Sequence, residues 1–548
     1  MNEIEKKLKT CIADAVKKGL DLDLELDEIV IEIPKDKSHG DYASNIAMQC
    51  TRRLKRNPRE LAQLIIDNLD LAQGGLKSAE IAGPGFINFK VLSDSLTQVI
   101  TTILNQKEHY GENQVGAGIK INVEYVSANP TGDLHLGHAR GAAWGDSLTR
   151  IMKASGYDVT REYYVNDAGN QIDNLAHSLI ARYKQCFGIE AELPEDGYHG
   201  KDVKMIAETI AQRDGDKWLH EDEKVVYTTF RKMGIEFELA KLQKDLDLFR
   251  VHFDVWSSEQ SLYDTHQVEA ALNKLTELGF TYEKDGAIWF KTTQFGDDKD
   301  RVLRKTDGSN TYLLPDIAYH IGKYDRGFDQ LLNLWGADHH GYIPRMKAAM
   351  QALGKDPQSL QVDIIQMVRL VEDGLEVKMS KRTGNAITVR ELCEEVGVDA
   401  VRYNFVQRAL DTHLDFDIGL ARKQSNDNPV YYAQYAHARI CSILRQAPSV
   451  EVPASFDRLT HEKEIALMKY LNEFPTVVGD VAKNRSVHKL CNYIQKCAQH
   501  FHSFYGSCKV IDLEDMEMTA QRLALLSACK ITLCNALSLI GVEALEKM

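Results

Sequence analysis

Three observations in the sequence predict an α/β protein. A strand pattern around Val123 runs through a Pro-Thr-Gly turn into a helix of small residues, and strand and helix signals alternate after it. Beyond Asp399, strand signals nearly vanish. A strand, a glycine turn and a helix in that order open a doubly wound α/β domain. We therefore expect a parallel, Rossmann-type catalytic domain with a small α+β domain before it and an α-helical bundle after it.

The length of 548 residues exceeds one ordinary hydrophobic core, so we expect three domains. We place the N-terminal domain at 1–112, the catalytic domain at 113–390 and the helical C-terminal domain at 391–548. Within the catalytic domain, residues from about 171 to about 278 have mainly helical signals, which predicts a helical insertion.

The first domain has clear alternation between helix and strand patterns. Residues 1–19 have helical spacing, 28–33 alternate as a strand does, and 45–68 are again helical. Residues 80–89 predict a strand that is broken by a Gly-Pro-Gly turn.

Further elements follow the same reasoning. After the strand through Val123 and Tyr125, the strand candidates are 158–165, 331–335 and 362–370. In the C-terminal region, apolar residues share helical faces, which predicts a packed bundle. They are Leu467, Leu471 and Phe474 on one face, and Leu490, Ile494, Cys497 and Phe501 on another.

Composition limits the class of protein. Hydrophobic residues make up 44% and charged residues 27% of the chain, without an apolar N-terminal core or a run of about 18 apolar residues. The ten cysteines are scattered without zinc-ligand spacing, so we expect no protein-bound metal and a reducing, cytoplasmic location. The net charge of −14 argues against general phosphate binding and allows a local basic surface.

The first chemical motif is ANPTGDLHLGH, Ala128 to His138, directly after a predicted strand. His135 and His138 are three residues apart and therefore share one face of a helix that begins there. Helix N-termini expose amide donors that suit phosphate, and Gly137 lets an adenine ring or phosphate approach closely. A histidine pair is often only structural, but its position after a strand and a turn favours nucleotide binding.

The second motif is KMSKRTGN, Lys378 to Asn385. Two lysines around a serine, beside a Thr-Gly turn, form a cationic segment that suits a triphosphate. Such a segment is common on surfaces, but this one lies at the end of the last predicted strand region, downstream of the histidine motif. Its position therefore favours binding of a triphosphate over an ordinary surface segment.

Together the two motifs resemble the signature sequences of class I aminoacyl-tRNA synthetases, with Arg382 where that family most often has Ser. The resemblance implies ATP with Mg²⁺ as the cofactor, and in-line attack of an amino-acid carboxylate on the α-phosphorus. His135, His138, Lys378 and Lys381 would be catalytic, since they would stabilise the transition-state phosphate and the departing pyrophosphate. Gly137, Met379 and Ser380 would complete the ATP site.

Three further stretches resemble the arginyl enzyme of that family, and a guanidinium is best bound by acidic oxygens. FDVWSSEQ contains Glu259, and TYLLPDIAYH contains Tyr312 and Asp316, which are four residues apart and share a helical face. The third stretch, WGADHH, places Asp338 or His339 in the same cavity. Asn129 would bind the α-amino or carboxylate group, as the resemblance implies. YYVNDAGNQ, residues 163–171, also resembles the family, without a role that chemistry alone assigns.

The resemblance implies tRNA(Arg), L-arginine and ATP as partners of a monomeric enzyme without a membrane partner. In the helical domain, Tyr432 and Tyr435 are three residues apart and would present two rings on which anticodon bases stack. The C-terminal residue Met548 would pack at that site. In the N-terminal domain, Phe86 and Asn88 resemble the family's contact with the tRNA elbow.

A basic cluster precedes that contact, and it is either a solvated helix face or part of the tRNA surface. Its members are Arg52, Arg53, Lys55, Arg56 and Arg59.

Three alternatives remain open on the sequence. A small-molecule nucleotidyltransferase shares the HxGH pattern but does not need a helical C-terminal domain with paired tyrosines. A cysteinyl synthetase would lead us to expect a zinc ligand set. A non-catalytic RNA-binding relative would not need His135, His138, Lys378 and Lys381 intact. We expect no separate editing domain, because a guanidinium is distinctive enough without one.

Overall fold

The computed structural model describes residues 3–32, 34, 39–372, 374–377 and 387–548. The chain forms two compact units. One comprises Met1–Val115, Tyr431–Ser538 and Glu543–Met548, and the other comprises Gly116–Val430 and Leu539–Val542. The division into three domains at the boundaries given above stays a prediction.

The N-terminal region combines four helices with a three-stranded antiparallel sheet of order β1-β3-β2. Its elements are α1 (Glu3–Leu20), β1 (Tyr42–Ser44), α2 (Ile46–Leu54), α3 (Pro58–Asp67), β2 (Leu76–Ala82), β3 (Phe86–Val91) and α4 (Ser93–Gln106). The predicted first helix is confirmed, and the predicted strand broken at Gly-Pro-Gly is two strands, β2 and β3, that pair as a hairpin around that turn. The predicted strand at 28–33 is wrong for the residues described there. Only an isolated bridge joins Glu32 to Ala43, because the chain first turns through a short 3₁₀ helix, Leu26–Glu28.

The predicted helix at 45–68 is two helices. The left-handed backbone of Lys55 ends α2, and the side chain of Asn57 then accepts a hydrogen bond from the Arg59 amide to start α3. Pro58 occupies the first position of α3, where its missing N–H costs nothing. Both helices bury apolar faces against β3, where Ile87 and Phe89 point into the core.

The second unit is built on a five-stranded sheet of order β11-β10-β4-β5-β6, in which every pairing is parallel. Its first elements are β4 (Lys120–Glu124), α5 (Leu136–Ala154), β5 (Asp158–Val165), α6 (Asn170–Cys186), α7 (Lys201–Asp214), α8 (Glu223–Leu248), β6 (Val255–Ser258), α9 (Glu259–Asp264) and α10 (Gln267–Glu277). The strand order reverses between β4 and β10, so loops after these strands diverge and leave a crevice at their carboxyl ends. The doubly wound fold predicted from the sequence is confirmed.

The unit continues with a small antiparallel sheet, β7 (Thr281–Lys284), β8 (Ala287–Phe290) and β9 (Arg301–Arg304), and then α11 (Leu313–Asp325), β10 (Gln330–Gly336), α12 (Ile343–Ala352) and β11 (Leu360–Ile365). It ends with β12 (Val368–Glu372), β13 (Leu375–Glu376), α13 (Val389–Val396), α14 (Val398–Val406), β14 (Leu414–Asp417) and α15 (Ile418–Arg422).

One sequence-based expectation for this unit is wrong. The strand predicted at 362–370 is two strands in different sheets, since the Gln366 amide donates to the Leu410 carbonyl and β12 then pairs with β13 and β14. The region from 171 to 278 is mainly helical, and it also contains the short strand β6, which forms an edge of the central sheet. Beyond Asp399, where strand signals nearly vanish in the sequence, the described residues form the short strand β14. Both missed strands have only four residues, too few for a periodic signal.

Helix α5 lies close to the central sheet because two of the residues that face the sheet are glycines. A Cβ on Gly145 would lie 2.4 Å from the ring of Tyr125, and one on Gly141 would lie 2.8 Å from Ile365. The fully buried Arg140 fixes the same helix from its other side by donating to the carbonyls of Gln366, Ala409 and Thr412. The N-terminus of α5 is therefore held firmly at the crevice.

The C-terminal region is a bundle of α16 (Pro429–Gln446), α17 (Glu462–Asn472), α18 (Phe474–Asn484), α19 (His488–Ser507) and α20 (Met516–Leu539). The apolar residues predicted to share helical faces are all buried, which confirms the bundle. Phe474 does not share a helix with Leu467 and Leu471, however, because α17 ends at Asn472 and Phe474 begins α18. Helix α20 is also long and apolar enough to cross a membrane, with a mean hydropathy of 1.3 over its most apolar window. Of that window, 56% is buried in the protein, as in the core helix of a bundle.

Candidate active site

The crevice begins with a strained turn after β4. Val126 and Ser127 have φ angles of 69° and 41°, a left-handed conformation that is costly for a β-branched residue. Hydrogen bonds hold the turn in place. The Ser127 hydroxyl donates to Glu124 Oε1 at 3.1 Å and accepts from the Tyr164 amide at 3.1 Å. Strain that is held in this way is common where a backbone must face a ligand.

The two signature histidines meet at the start of α5. His135 is the N-cap residue, and its Nδ1 accepts hydrogen bonds from the amides of Gly137 at 3.1 Å and His138 at 3.4 Å. In return, the His135 amide donates to His138 Nδ1 at 3.4 Å. The rings stack with their centroids 3.6 Å apart. Because both Nδ1 atoms accept, each neutral ring carries its proton on Nε2.

Partial removal from water keeps these rings neutral. It lowers the pKa of both histidines, and that of His138 falls to about 3, since the charge of His135 would oppose a second charge. Near neutral pH the pair therefore offers two Nε2–H donors. Gly137 leaves these rings room, because a Cβ there would lie only 3.0 Å from the His135 ring.

A cavity of about 720 Å³ lies beside the histidines at the carboxyl ends of β4 and β10. Its walls combine the strained turn, the start of α5 and the loop after β10. They include Val126, Ser127, Asn129, His135, Gly137, His138, Gly336, Asp338, His339 and Gln366. Of the predicted ATP-binding residues, the structure brings Gly137, His135 and His138 together here. Lys378, Met379, Ser380 and Lys381 lie outside the described residues.

A second cavity of about 570 Å³ shares part of these walls, including Val126, Asn129 and His339. All five residues predicted to bind arginine line it. They are Asn129, Glu259, Tyr312, Asp316 and His339. They come from four separate loops and helix ends, so only the tertiary fold brings them together.

Two carboxyl groups dominate the second cavity. Glu259 is 7% exposed, and its burial, followed by the charge of Asp167, raises its pKa to about 7. Asp316 accepts a hydrogen bond of 2.7 Å from the Tyr342 hydroxyl, which favours its ionised form. Removal from water outweighs that bond, and together with the charges of Glu124 and Glu259 it raises the Asp316 pKa to about 7. A bound cation would favour ionisation of both groups.

The other predicted residues of this cavity lie at its rim. Tyr312 is 81% exposed at the start of α11. His339 is also exposed, with its ring centroid 6.1 Å from that of Trp335. The Asn129 amide donates to Gln171 Oε1 at 2.8 Å, which joins the signature turn to α6.

The segment 163–171, which sequence chemistry left without a role, holds the cavity together. The Tyr163 hydroxyl donates to the Ala128 carbonyl at 2.8 Å, and Asp167 accepts from Ser258 Oγ at 2.7 Å and from the Gln260 amide at 2.8 Å. These bonds fix the signature turn and the start of α9, where Glu259 lies. The sequence did contain a signal for this role, because polar residues follow the parallel strand β5 directly.

The sequence did not predict the buried ion pair between Glu124 and Lys323 at the base of the second cavity. Glu124 ends β4 and pairs with the fully buried Lys323 at 2.6 Å. Lys323 also donates to Asn333 Oδ1 at 3.3 Å, and Asn333 bonds to His320. No sequence signal marked Lys323, because a lysine near the end of a helix is typical of a solvated face.

The predicted anticodon residues lie on α16 in the other unit. Tyr432 and Tyr435 do not stack on each other, and each instead contacts the ring of His502 on α19, with centroids 5.2 Å and 6.1 Å away. Tyr435 is exposed and stacks on Tyr431. The C-terminal segment lies against the same helix, where Gln434 donates to the Glu543 carbonyl. Met548 is 53% exposed.

In the N-terminal region, Phe86 and Asn88 lie on the half-buried face of β3, opposite the core residues Ile87 and Phe89. Phe86 is therefore not a core residue. Part of the predicted basic cluster is neutralised locally, since Arg53 pairs with Glu28 and Arg59 donates to the Gly83 carbonyl of the adjacent hairpin.

Three family profiles match successive parts of the chain. The profile of the arginyl tRNA synthetase N-terminal domain matches residues 4–91, that of the class I (R) tRNA synthetase catalytic domain matches 99–407, and that of the DALR anticodon-binding domain matches 433–548. A class I catalytic profile over a parallel sheet, with the two cavities at its switch point, defines the chain as a class I aminoacyl-tRNA synthetase.

Similar proteins show to which family of class I synthetases the chain belongs. An arginine–tRNA ligase of Bacillus pumilus is 55% identical over 543 residues, which is 98% of this chain and 97% of that protein. One of Geobacillus kaustophilus is 55% identical over 554 residues and covers 100% of both. This chain belongs to the arginyl-tRNA synthetase family, as the sequence motifs predicted, and not to the cysteinyl family.

Solved structures share the fold. The arginyl-tRNA synthetase of Thermus thermophilus has a TM-score of 0.78 at 20% identity, covering 99% of this chain and 100% of its own. A methionyl-tRNA synthetase of Mycobacterium tuberculosis has a TM-score of 0.52 at 14% identity, covering 77% of this chain and 91% of its own.

Proposed function

We propose that this chain is an arginine–tRNA ligase. It activates L-arginine with ATP to arginyl-adenylate and transfers the arginine to tRNA(Arg), releasing AMP and diphosphate. The observation that carries the proposal is the pair of joined cavities at the switch point. One is lined by the neutral donors His135 and His138, the other is lined by the carboxyl groups of Glu124, Glu259 and Asp316, and the two cavities share Asn129 and His339.

In the first cavity, the arginine carboxylate attacks the α-phosphorus of ATP in line, and pyrophosphate leaves. His135 and His138 donate from Nε2 to the phosphate oxygens, whose charge distribution changes in the transition state. Loss of one such donor typically costs about 3–4 kcal/mol of transition-state stabilisation. Lys378 and Lys381 complete this proposal by stabilising the pyrophosphate, with Met379 and Ser380 beside the nucleotide. Mg²⁺ enters with ATP and supplies positive charge to its phosphates.

In the second cavity, Glu259 and Asp316 bind the guanidinium, and Tyr342 orients Asp316. The five guanidinium N–H groups require acceptors in a plane, which carboxylates provide in pairs. Asn129 binds the α-amino or carboxylate end, where the two cavities meet. Tyr312 and His339 close the rim around the amino acid.

The tRNA contacts extend the proposal to the other unit. Tyr432 and Tyr435, with His502 between them, provide aromatic faces for anticodon bases, and the segment ending at Met548 supports that surface. Phe86 and Asn88 contact the tRNA elbow. In this proposal residues 1–112, 113–390 and 391–548 bind the elbow, carry out the chemistry and bind the anticodon. The enzyme acts in the cytoplasm as a monomer without a membrane partner.

Pyrophosphate exchange, measured with each of the twenty amino acids and with or without total tRNA, tests the proposal. We expect arginine alone to support exchange, and only when tRNA is present, because tRNA binding completes the site. Exchange driven by another amino acid would contradict the arginine assignment. Arginine-dependent exchange without tRNA would contradict the coupling alone.

A further inference from the structure

Helix α8 of the insertion carries a lysine that contacts the first signature motif. Lys241 Nζ lies 2.9 Å from Asp133 Oδ1, and Asp133 is two residues before His135. The same ammonium lies 3.3 Å from Asp202 at the start of α7 and 3.3 Å from Glu238 on its own helix. One cation thus joins two insertion helices to the turn that leads into the histidines.

The charge balance shows that this lysine is firmly held. Burial by itself lowers its pKa, but Glu238, Asp133 and Asp202 outweigh the burial, so the pKa of Lys241 is raised. Glu238 is fully buried, and its own pKa is raised by that burial. The two insertion carboxylates already pair with Lys241. Asp133 adds a third anion from outside the insertion. The Lys241 ammonium lies between Asp133 and the two insertion carboxylates, so the position of Asp133 depends on it.

The turn that contains Asp133 is also fixed from a second direction. The Val389 amide donates to the Leu134 carbonyl at 2.9 Å, and His135 forms a β-bridge with Thr388. The helix that follows, α13, is joined back to α8, since Arg390 Nε donates to Asp245 at 2.7 Å. Helix α8 therefore contacts both segments that meet at His135, through Lys241 at one point and through Asp245 one turn further on.

These contacts surround a cavity of about 880 Å³, next to the proposed ATP site. Asp133 and His135 line both cavities. With open space on one side of the turn, packing alone does not fix Asp133, whose side chain is 48% exposed. The ion pair with Lys241 is the polar contact that holds it to the insertion.

We infer that Lys241 is a positioning residue for adenylate formation, which acts through Asp133 to place the Nε2 atoms of His135 and His138. The inference rests on the proposed function and adds to it a role for the insertion. Without the ammonium, three carboxylates face one another, and repulsion moves Asp133 together with the turn. A displacement of about 1 Å at reacting groups can cost up to about 100-fold in rate.

The test is a double-mutant cycle in the full-length enzyme, with Lys241→Met, Asp133→Asn and the combination, measured by arginine-dependent exchange in the presence of tRNA. We expect each single variant to lower kcat by about 10- to 100-fold and to leave the arginine KM within about twofold. The double variant should lose no more than either single one, because each substitution removes one charge of the same ion pair. Lys241→Arg should recover most of the rate.

Lys244→Met is the matched control. Lys244 lies on the same helix and lines the same cavity, but it is exposed and forms no ion pair with the residues that the structure describes. We expect wild-type kcat in this variant. Thermal midpoints of all variants are measured in parallel. Asp133→Asn changes a partly exposed residue, and Lys241 keeps its ion pairs with Asp202 and Glu238 in that variant.

The inference would be overturned by wild-type kcat in Asp133→Asn, by losses that multiply in the double variant, or by an equal loss in Lys244→Met. A lower thermal midpoint with wild-type kcat in Lys241→Met would also overturn it, since it would indicate a structural role alone. No arginine-dependent exchange by the unmodified enzyme would count against the proposed function instead.

Discussion

The hydroxyl of Tyr342 donates a hydrogen bond of 2.7 Å to Asp316 Oδ2 in the wall of the proposed arginine cavity. Tyr342 follows β10 and Asp316 lies in the first turn of α11, so the bond joins two elements around the cavity. It favours the ionised carboxylate in a place where burial favours the acid. In the proposed function, recognition of the guanidinium therefore depends on a neutral donor that orients an anion.

Tyr342→Phe should raise the arginine KM by about tenfold, because a hydrogen bond to a charged group contributes about 1.5–3 kcal/mol. Without the hydroxyl, the Asp316 pKa rises further, and less carboxylate is present at neutral pH. The KM for ATP should change little. Tyr324→Phe is the control, since its hydroxyl bonds to Ser359 outside the cavity. Equal effects of the two substitutions would contradict the assigned role of Tyr342.

The arginine KM should depend on pH near neutrality. Glu259 and Asp316 both have pKa values raised to about 7, so below that pH they are protonated and do not attract a guanidinium. The KM should therefore rise as pH falls, by about tenfold per pH unit for each carboxyl group that must be ionised and so by up to about 100-fold per unit for both, and level off above about pH 8. Glu259→Gln should raise the KM and make its dependence on pH shallower. An arginine KM that stays constant from about pH 6 to about pH 8 would exclude these groups.

His135→Ala and His138→Ala should each lower kcat for exchange by about 10²- to 10³-fold, because each removes an Nε2–H donor. The losses should not multiply in the double variant, since the rings stack and each Nδ1 accepts from the other residue's backbone amide. His252→Ala, at an exposed residue that pairs with Asp247, is the control for general effects. Turnover near the wild-type rate in either single variant would remove the histidines from the mechanism.

Tyr435→Ala and Tyr432→Ala should weaken tRNA charging by about 5- to 100-fold each, which corresponds to one stacked base. His502→Ala should behave in the same way, because its ring contacts both tyrosines. The KM for tRNA is the readout. Comparison with a tRNA that lacks its anticodon stem is the decisive control, since the variants should charge it no worse than the wild type does.

The sequence alone predicted the fold and the candidate site residues where the informative residues lie close together in one short stretch. The motif from Ala128 to His138 predicted the strand, turn and helix, and the mutual capping of His135 and His138 follows from their spacing. The helical bundle was predictable because its buried residues recur along single helical faces. The sequence also singled out five residues that line the second cavity, because each lies in a stretch that resembles the arginyl family.

Only the tertiary structure decided which groups meet. Burial of Lys323 beside Glu124, the bond from Tyr342 to Asp316 and the contact of Lys241 with Asp133 join residues that are distant in sequence, and local spacing contains no record of them. The raised pKa values of Glu259 and Asp316 have the same origin, since removal from water depends on all surrounding elements together. Strands β6 and β14 were missed because four residues define a strand only through their neighbours in the sheet.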